Sequence, residues 1–240
     1  MSESRGDHVE RTLAGETRLD IGAVFSEAWQ RVPGSKLVLF GGFLAFYLVL
    51  IPVVTVVGLM LTALGMSLEE GVGGLLLQLL VVALVYPFMA GIFMTSLRWL
   101  SGAPIGFAQL LAHYDRTPQL VLMNIASSVG ILIGLVLFVL PGIYIGVAWM
   151  LAMPLIVDRG LGVFEALELS RKLVTKHWFS VFAFVIISGL ILALGAFTFG
   201  IAYIWFLPWM CLAFAILYRQ LAGSLSFPDD DSEAPTAVMA

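Results

Sequence analysis

TPQLVLMNIASSVGILIGLVLFVLPGIYIGVAWMLAMPLIV, residues 117–157, contains no Asp, Glu, Lys or Arg. One membrane crossing takes about 20 residues, because a helix rises about 1.5 Å per residue across a hydrocarbon layer about 30 Å thick. The run is roughly twice that length, so it must either cross once with much to spare or fold back as a hairpin. Pro141-Gly142, near its middle, is turn chemistry and favours the hairpin.

Three more stretches lack charge: residues 37–68, 71–97 and 177–218. The first two suit one crossing each, parted by Glu69 and Glu70. The last is again double length, with Gly195 and Gly200 bracketing a turn near residues 197–202. The basic residues decide the count. With six crossings, Arg5, Arg11, Arg18, Arg31 and Lys36 precede the first helix. Arg98 and Arg116 then lie between the second and third, Arg159, Arg171, Lys172 and Lys176 between the fourth and fifth, and Arg219 after the sixth. All 12 Lys and Arg then share one side. A single crossing at residues 117–157 would move four of them to the other, against the positive-inside rule. The expected fold is an all-α membrane protein of six transmembrane helices with both termini cytoplasmic, in a bacterial inner membrane. Residues 1–20 and the acidic residues 223–240 are expected as disordered tails flanking a membrane domain at residues 21–222.

Composition agrees. Of the 240 residues 60% are hydrophobic and 12% charged, and the mean hydropathy is +1.02, whereas a soluble domain carries about 25% charged residues. The net charge of −4 averages acidic ends with basic loops. Cys211 is the one cysteine, which excludes an intramolecular disulfide and a cysteine-cluster metal site. Residues 1–20 show no apolar core of a cleavable targeting segment, so the first crossing is expected to act as its own insertion signal.

Each pair of crossings follows a similar short segment: DIGAVF at 20–25, PIGFA at 104–108 and GLGVF at 160–164. This predicts three parallel pseudo-repeats, each an amphipathic interfacial helix plus two crossings. In the first, Ile21, Val24, Phe25, Ala28, Trp29 and Val32 share a face, Glu27 and Arg31 stand four apart on the other, and Asp20 is placed to cap. In the third, Val163, Ala166, Leu167, Leu173 and Val174 oppose Glu165, Glu168, Arg171 and Lys172, with Trp178 as interfacial anchor. The second, around Phe107, Leu110, Leu111 and Tyr114, is the weakest. Such helices pack as a collar on the bundle or contact lipid. Pro87, Pro154 and Pro208 stand in the second helix of their units and Pro52 in the first helix, and each proline can kink its helix.

Chemistry is sparse. No ionisable residue lies at hydrocarbon depth, His113 and His177 are too isolated for a metal site, and no nucleophile, phosphate-loop or nucleotide motif occurs. No catalytic, cofactor or metal residue is therefore assigned. Gln78, Thr55, Asn124, Ser127, Ser128, Ser188 and Thr198 read as helix-packing polar residues, with a substrate-lining stripe as the alternative.

The segment Leu140-Pro141-Gly142-Ile143-Tyr144, then residues 154–162, PLIVDRGLG, then Glu165-Ala166-Leu167 with Ser170, resembles the YciC-like family of uncharacterised bacterial inner-membrane proteins. More distantly it is similar to the membrane domain attached to some glycerophosphodiester phosphodiesterases. The resemblance centres on residues 140–178 and implies location and architecture. Relatives often carry a basic residue after the Pro-Gly-Ile-Tyr turn, where this chain has Val147-Ala148-Trp149.

The expectation is a non-enzymatic envelope scaffold or lipid-interacting component, with a transporter or channel for a small solute as the alternative. Its partners would be membrane lipids, with a second copy or an envelope protein beside them, and no nucleic acid. Asp158 and Arg159 are expected to anchor the end of helix four.

Overall fold

The structure, a computed structural model, describes residues 5–17, 19–69 and 71–223. All regular structure among these is helical: α1 (Arg5–Ala14), α2 (Ile21–Arg31), α3 (Lys36–Ala63), α4 (Val72–Leu100), α5 (Thr117–Leu137), α6 (Val139–Ala148), α7 (Ala152–Arg159), α8 (Val163–Lys176), α9 (Trp178–Ala196) and α10 (Tyr203–Ala222). Two 3-10 turns, Phe107–Leu111 and Tyr114–Arg116, precede α5. Six helical spans among the described residues are long and apolar enough to cross a bilayer, and α6 with α7 forms one of them. The chain is an integral membrane protein by this measure. Leu44, Leu48, Leu59, Leu132 and Leu190 stand 60% exposed or more, a surface that lipid tails cover and water would not.

α10 is the centre of the packing, with Leu212, Ile216 and Tyr218 fully buried against α2, α3 and α4. The double-length runs fold as hairpins. The turn of the second falls at residues 197–202, as its glycines predict. The turn of the first is displaced. It sits at Phe138, which is extended between α5 and α6, while Pro141 lies in the opening turn of α6, where a missing N–H leaves no bond unmade. Gly142 makes the tight return possible. A Cβ there would meet the Leu135 side chain and stand 2.8 Å from the Leu135 nitrogen, and one on Gly134 would stand 2.9 Å from the Gly142 Cα.

Pro154 acts differently from Pro87 and Pro208. The latter two lie inside unbroken helices α4 and α10. Pro154 cannot bond the Met150 carbonyl, and the span breaks at residues 149–151 before restarting as α7, with Pro154 in its first turn. Ser170 of α8 fills the break. Its fully buried hydroxyl accepts the Leu151 N–H at 3.1 Å and donates to the Ala148 carbonyl at 2.7 Å.

Three expectations change at the basic end of the bundle. Residues 5–14, expected within a disordered tail, form α1. Its His8 ring donates to the Gln220 carbonyl at 3.0 Å in the last turn of α10, where carbonyls lack helical partners. Thr12 beside it is fully buried. The acidic residues 224–240 lie outside the described residues. The second pseudo-repeat opens with 3-10 turns rather than an amphipathic α-helix. Leu110 wedges between Gly42 and Gly91, whose missing Cβ atoms leave the room, and that close approach fixes a segment too short and glycine-bounded for a helix. Finally, Glu27 does not pair along its own helix with Arg31: it accepts from Arg219 Nη2 of α10 at 2.6 Å.

Candidate functional site

The expected faces of α2 and α8 are the buried ones. Asp20 caps α2, its carboxylate accepting the Ala23 N–H at 3.0 Å. Val24 and Ala28 are fully buried, while Trp29 remains 50% exposed. Phe25 stacks on Phe184 at 5.2 Å, and its carbonyl takes the Trp209 indole N–H at 2.9 Å. Trp29 meets the same Trp209 edge-on at 5.6 Å. This face therefore docks on α9 and α10 inside the protein. In α8, Val163, Ala166, Leu167, Leu173 and Val174 are buried and Glu165, Glu168 and Lys172 are exposed. The Glu168 carboxylate takes two hydrogen bonds from Arg171, at 2.9 and 2.7 Å, which hold its pKa down at about 2 against an ordinary 4.5.

At the ends of α7 and α10, two arginines cap helix termini and Asp158 bonds a buried tyrosine. Asp158 accepts from the Tyr218 hydroxyl at 2.5 Å, and Arg159 Nη2 donates to the Ala222 carbonyl. Arg116 donates to the Ile156 carbonyl at 3.1 Å. Cationic groups at helix C-termini meet the negative end of the dipole. Tyr144 bonds Thr175 of α8 at 2.7 Å and lies 6.1 Å from Trp178, whose ring stacks on Phe182 at 4.9 Å. Burial lowers the His177 pKa beside it. These contacts bind α8 to α6 and α9, and none gathers groups for acid–base work.

One concavity stands out. At mid-depth, α3, α4, α5, the helix break, α9 and α10 border an open cavity of about 580 Å³. Tyr86, Ser127 and Trp149 line it and stand at the midpoints of α4, α5 and the α6–α7 span. Its volume falls in the range of about 300–1,000 Å³ usual for small-molecule sites. No charged residue and no histidine is in the lining. Met89, Met123, Met150, Met153 and Met210 are, together with Cys211, Phe93 and Phe214. Half of the 10 methionines in the chain thus face one void. Unbranched, polarisable side chains of this kind adapt to ligands of varied shape. Pro87 and Pro154 are not in the lining, but their neighbours Tyr86 and Met153 are, so two of the sequence-marked prolines flank the cavity. Pro208 likewise follows Leu207 of the wall. The remaining sequence-marked residues, Phe25, Trp29, Pro141, Gly142, Tyr144, Asp158, Arg159 and Trp178, are distributed around the bundle and do not converge here.

The sequence reading missed the methionines. Their number was visible, but in chain order they are scattered and apolar, and only the fold brings them together. Among the described residues, no group of three or more His, Cys, Asp or Glu could hold a metal ion.

Residues 116–227 match the family described as the membrane domain of glycerophosphoryl diester phosphodiesterase. The matched stretch runs from the start of α5 past α10 and contains the helix break, Ser170 and the α7–α10 caps, so the resemblance read at residues 140–178 extends well beyond them. No curated protein and no solved structure matches the chain.

Proposed function

We propose that this membrane protein is a non-enzymatic, lipid-interacting component of a bacterial inner membrane that holds an apolar chain in its open mid-depth cavity. The observation carrying the reading is the uncharged, methionine-lined void of about 580 Å³ at mid-depth. In a bilayer the molecules present at that depth are apolar chains, and a pocket without charge accepts them without desolvating an ion. The basic end is assigned to the cytoplasm, because all 12 Lys and Arg fall there in a six-span topology. The three-unit pseudo-repeat belongs to the same proposal. It is supported by the buried faces of α2 and α8, and the 3-10 turns of the second unit fit it least.

The alternative, passage of a small apolar solute, draws on the broken span beside the cavity, since interrupted helices mark sites in many transporters. Ser170, which is not in the cavity lining, already satisfies that break, which favours a holding role over a coordinating one. Native mass spectrometry of the purified protein tests the reading. Wild type is expected to carry bound lipid that Met153→Trp and Met123→Trp, which narrow the cavity, reduce at unchanged folding. Equal lipid occupancy in the narrowed variants would refute it.

A further inference from the structure

Resting on the apolar-chain reading above, the structure assigns the cavity a preference for neutral chains that carry one uncharged oxygen function, such as a long-chain alcohol, over bare hydrocarbons and over acids. The argument begins with how hydroxyls at membrane depth are satisfied. Thr55, Thr62 and Ser96 each donate to the carbonyl four residues earlier in their own helix, at 2.8, 2.9 and 2.8 Å. Ser127 makes no such bond, and its side chain is in the cavity wall. Thr95 and Ser188 also lack partners, but neither lines the cavity.

Tyr86 supplies the second group. Its hydroxyl oxygen accepts from Asn124 Nδ2 at 2.5 Å, which leaves the Tyr86 proton to donate elsewhere, and Tyr86 too is in the wall. Asn124 and Ser127 are three apart on α5 and so share a face. Tyr86 and Ser127, on the facing helices α4 and α5, both line the cavity. Two hydroxyl groups with unused capacity, with the Trp149 indole beside them in the wall, border a methionine-rich and largely apolar space. An alcohol, ketone or ester oxygen would use them, whereas an alkane leaves them unmade. A carboxylate or phosphate would bring a charge to mid-depth with no cation in the wall to meet it. Because methionine and aromatic walls discriminate chain shape weakly, the oxygen carries the selectivity.

The test uses full-length protein in dioleoylphosphatidylcholine vesicles with three diazirine-tagged C14 probes at equal mole fraction: tetradecanol, tetradecane and tetradecanoate. Photolabelling at Met123, Met150, Met153 and Met210 is read by peptide mass spectrometry. Tetradecanol is expected to label these sites about five-fold more than tetradecane, the worth of one net hydrogen bond, with tetradecanoate lowest. Tyr86→Phe combined with Ser127→Ala should bring tetradecanol down to the tetradecane level and leave tetradecane unchanged, which also shows that the variant folds. Equal labelling by alcohol and alkane, or labelling by the acid as strong as by the alcohol, overturns the oxygen preference while the apolar-chain reading stands. Absence of cavity labelling by all three overturns both.

Discussion

Ser170→Ala removes one oxygen atom and, with it, both side-chain hydrogen bonds across the break between α6 and α7. The Leu151 N–H and the Ala148 carbonyl lose a partner each, at 3.1 and 2.7 Å in the native structure. Ala148, Leu151 and Ser170 are all fully buried, so water does not replace the hydroxyl. An orphaned buried group costs roughly 1–3 kcal/mol, which places the ceiling for two near about 6 kcal/mol. Hydrogen bonds between membrane helices average about 0.6 kcal/mol in double-mutant cycles, which sets a floor near about 1 kcal/mol. The expected loss is about 2–4 kcal/mol, since neither backbone group has another partner within the break. Reversible unfolding in mixed micelles, titrated with dodecyl sulfate and followed by circular dichroism, measures it. Ser188→Ala is the matched control: its buried hydroxyl has no partner, so its removal breaks no bond and should be neutral or stabilising by up to about 3 kcal/mol. If Ser170→Ala costs no more than Ser188→Ala, the hydroxyl does not hold the break and the reasoning fails.

Other outcomes follow from the same contacts. Gly91→Ala places a methyl against the Leu110 backbone and should cost about 1–3 kcal/mol, whereas Gly189→Ala, with nothing within 4 Å, should be neutral or stabilising by up to about 1 kcal/mol; the same micelle titration compares them. A double-mutant cycle on Glu27→Gln and Arg219→Met should give a coupling of about 0.5–1 kcal/mol, because both side chains are about a third exposed, and a coupling near zero would show that the pair does not tie α2 to α10. The Glu168 carboxyl titrates at about 2 in the folded protein against an ordinary 4.5. Its contribution is therefore complete above about 4.5 and lost as the pH falls toward about 2. The melting difference between wild type and Glu168→Gln should shrink across that window, and a difference that stays constant from pH 5 to 2 would contradict it.

The six candidate spans were legible because charge is costly in hydrocarbon, so its absence marks depth directly. The turn at residues 197–202 was legible from its glycines, and the α2 cap from Asp20. The break at residues 149–151 was not. Every residue from Val147 to Met153 is apolar, and a helix that is hydrophobic all round has no periodicity to interrupt. What makes the break stable is a serine 19 residues from Leu151, which only the packing of α8 brings near. The pairing of Glu27 was misread for a related reason: a helical i,i+4 neighbour is always available in sequence, while Arg219, 192 residues away, competes for the carboxylate only in the fold. The α1 helix carries few apolar residues and is held by a ring-to-carbonyl bond and a buried threonine, neither of which has a local signature. For the site, the flanking prolines were readable and the methionine wall was not.

The bridge made by Ser170 also imposes an order on how the chain is built into a membrane. A span released laterally into lipid must have its backbone groups satisfied within itself, since hydrocarbon offers no partner. The Val139–Arg159 span does not meet that condition when it emerges, because the oxygen that closes it is still to be synthesised. Its bridge is completed only once α8 follows and folds back onto the break, so a chain that stops short of Ser170 leaves the Leu151 N–H and the Ala148 carbonyl without the partner they share in the full fold.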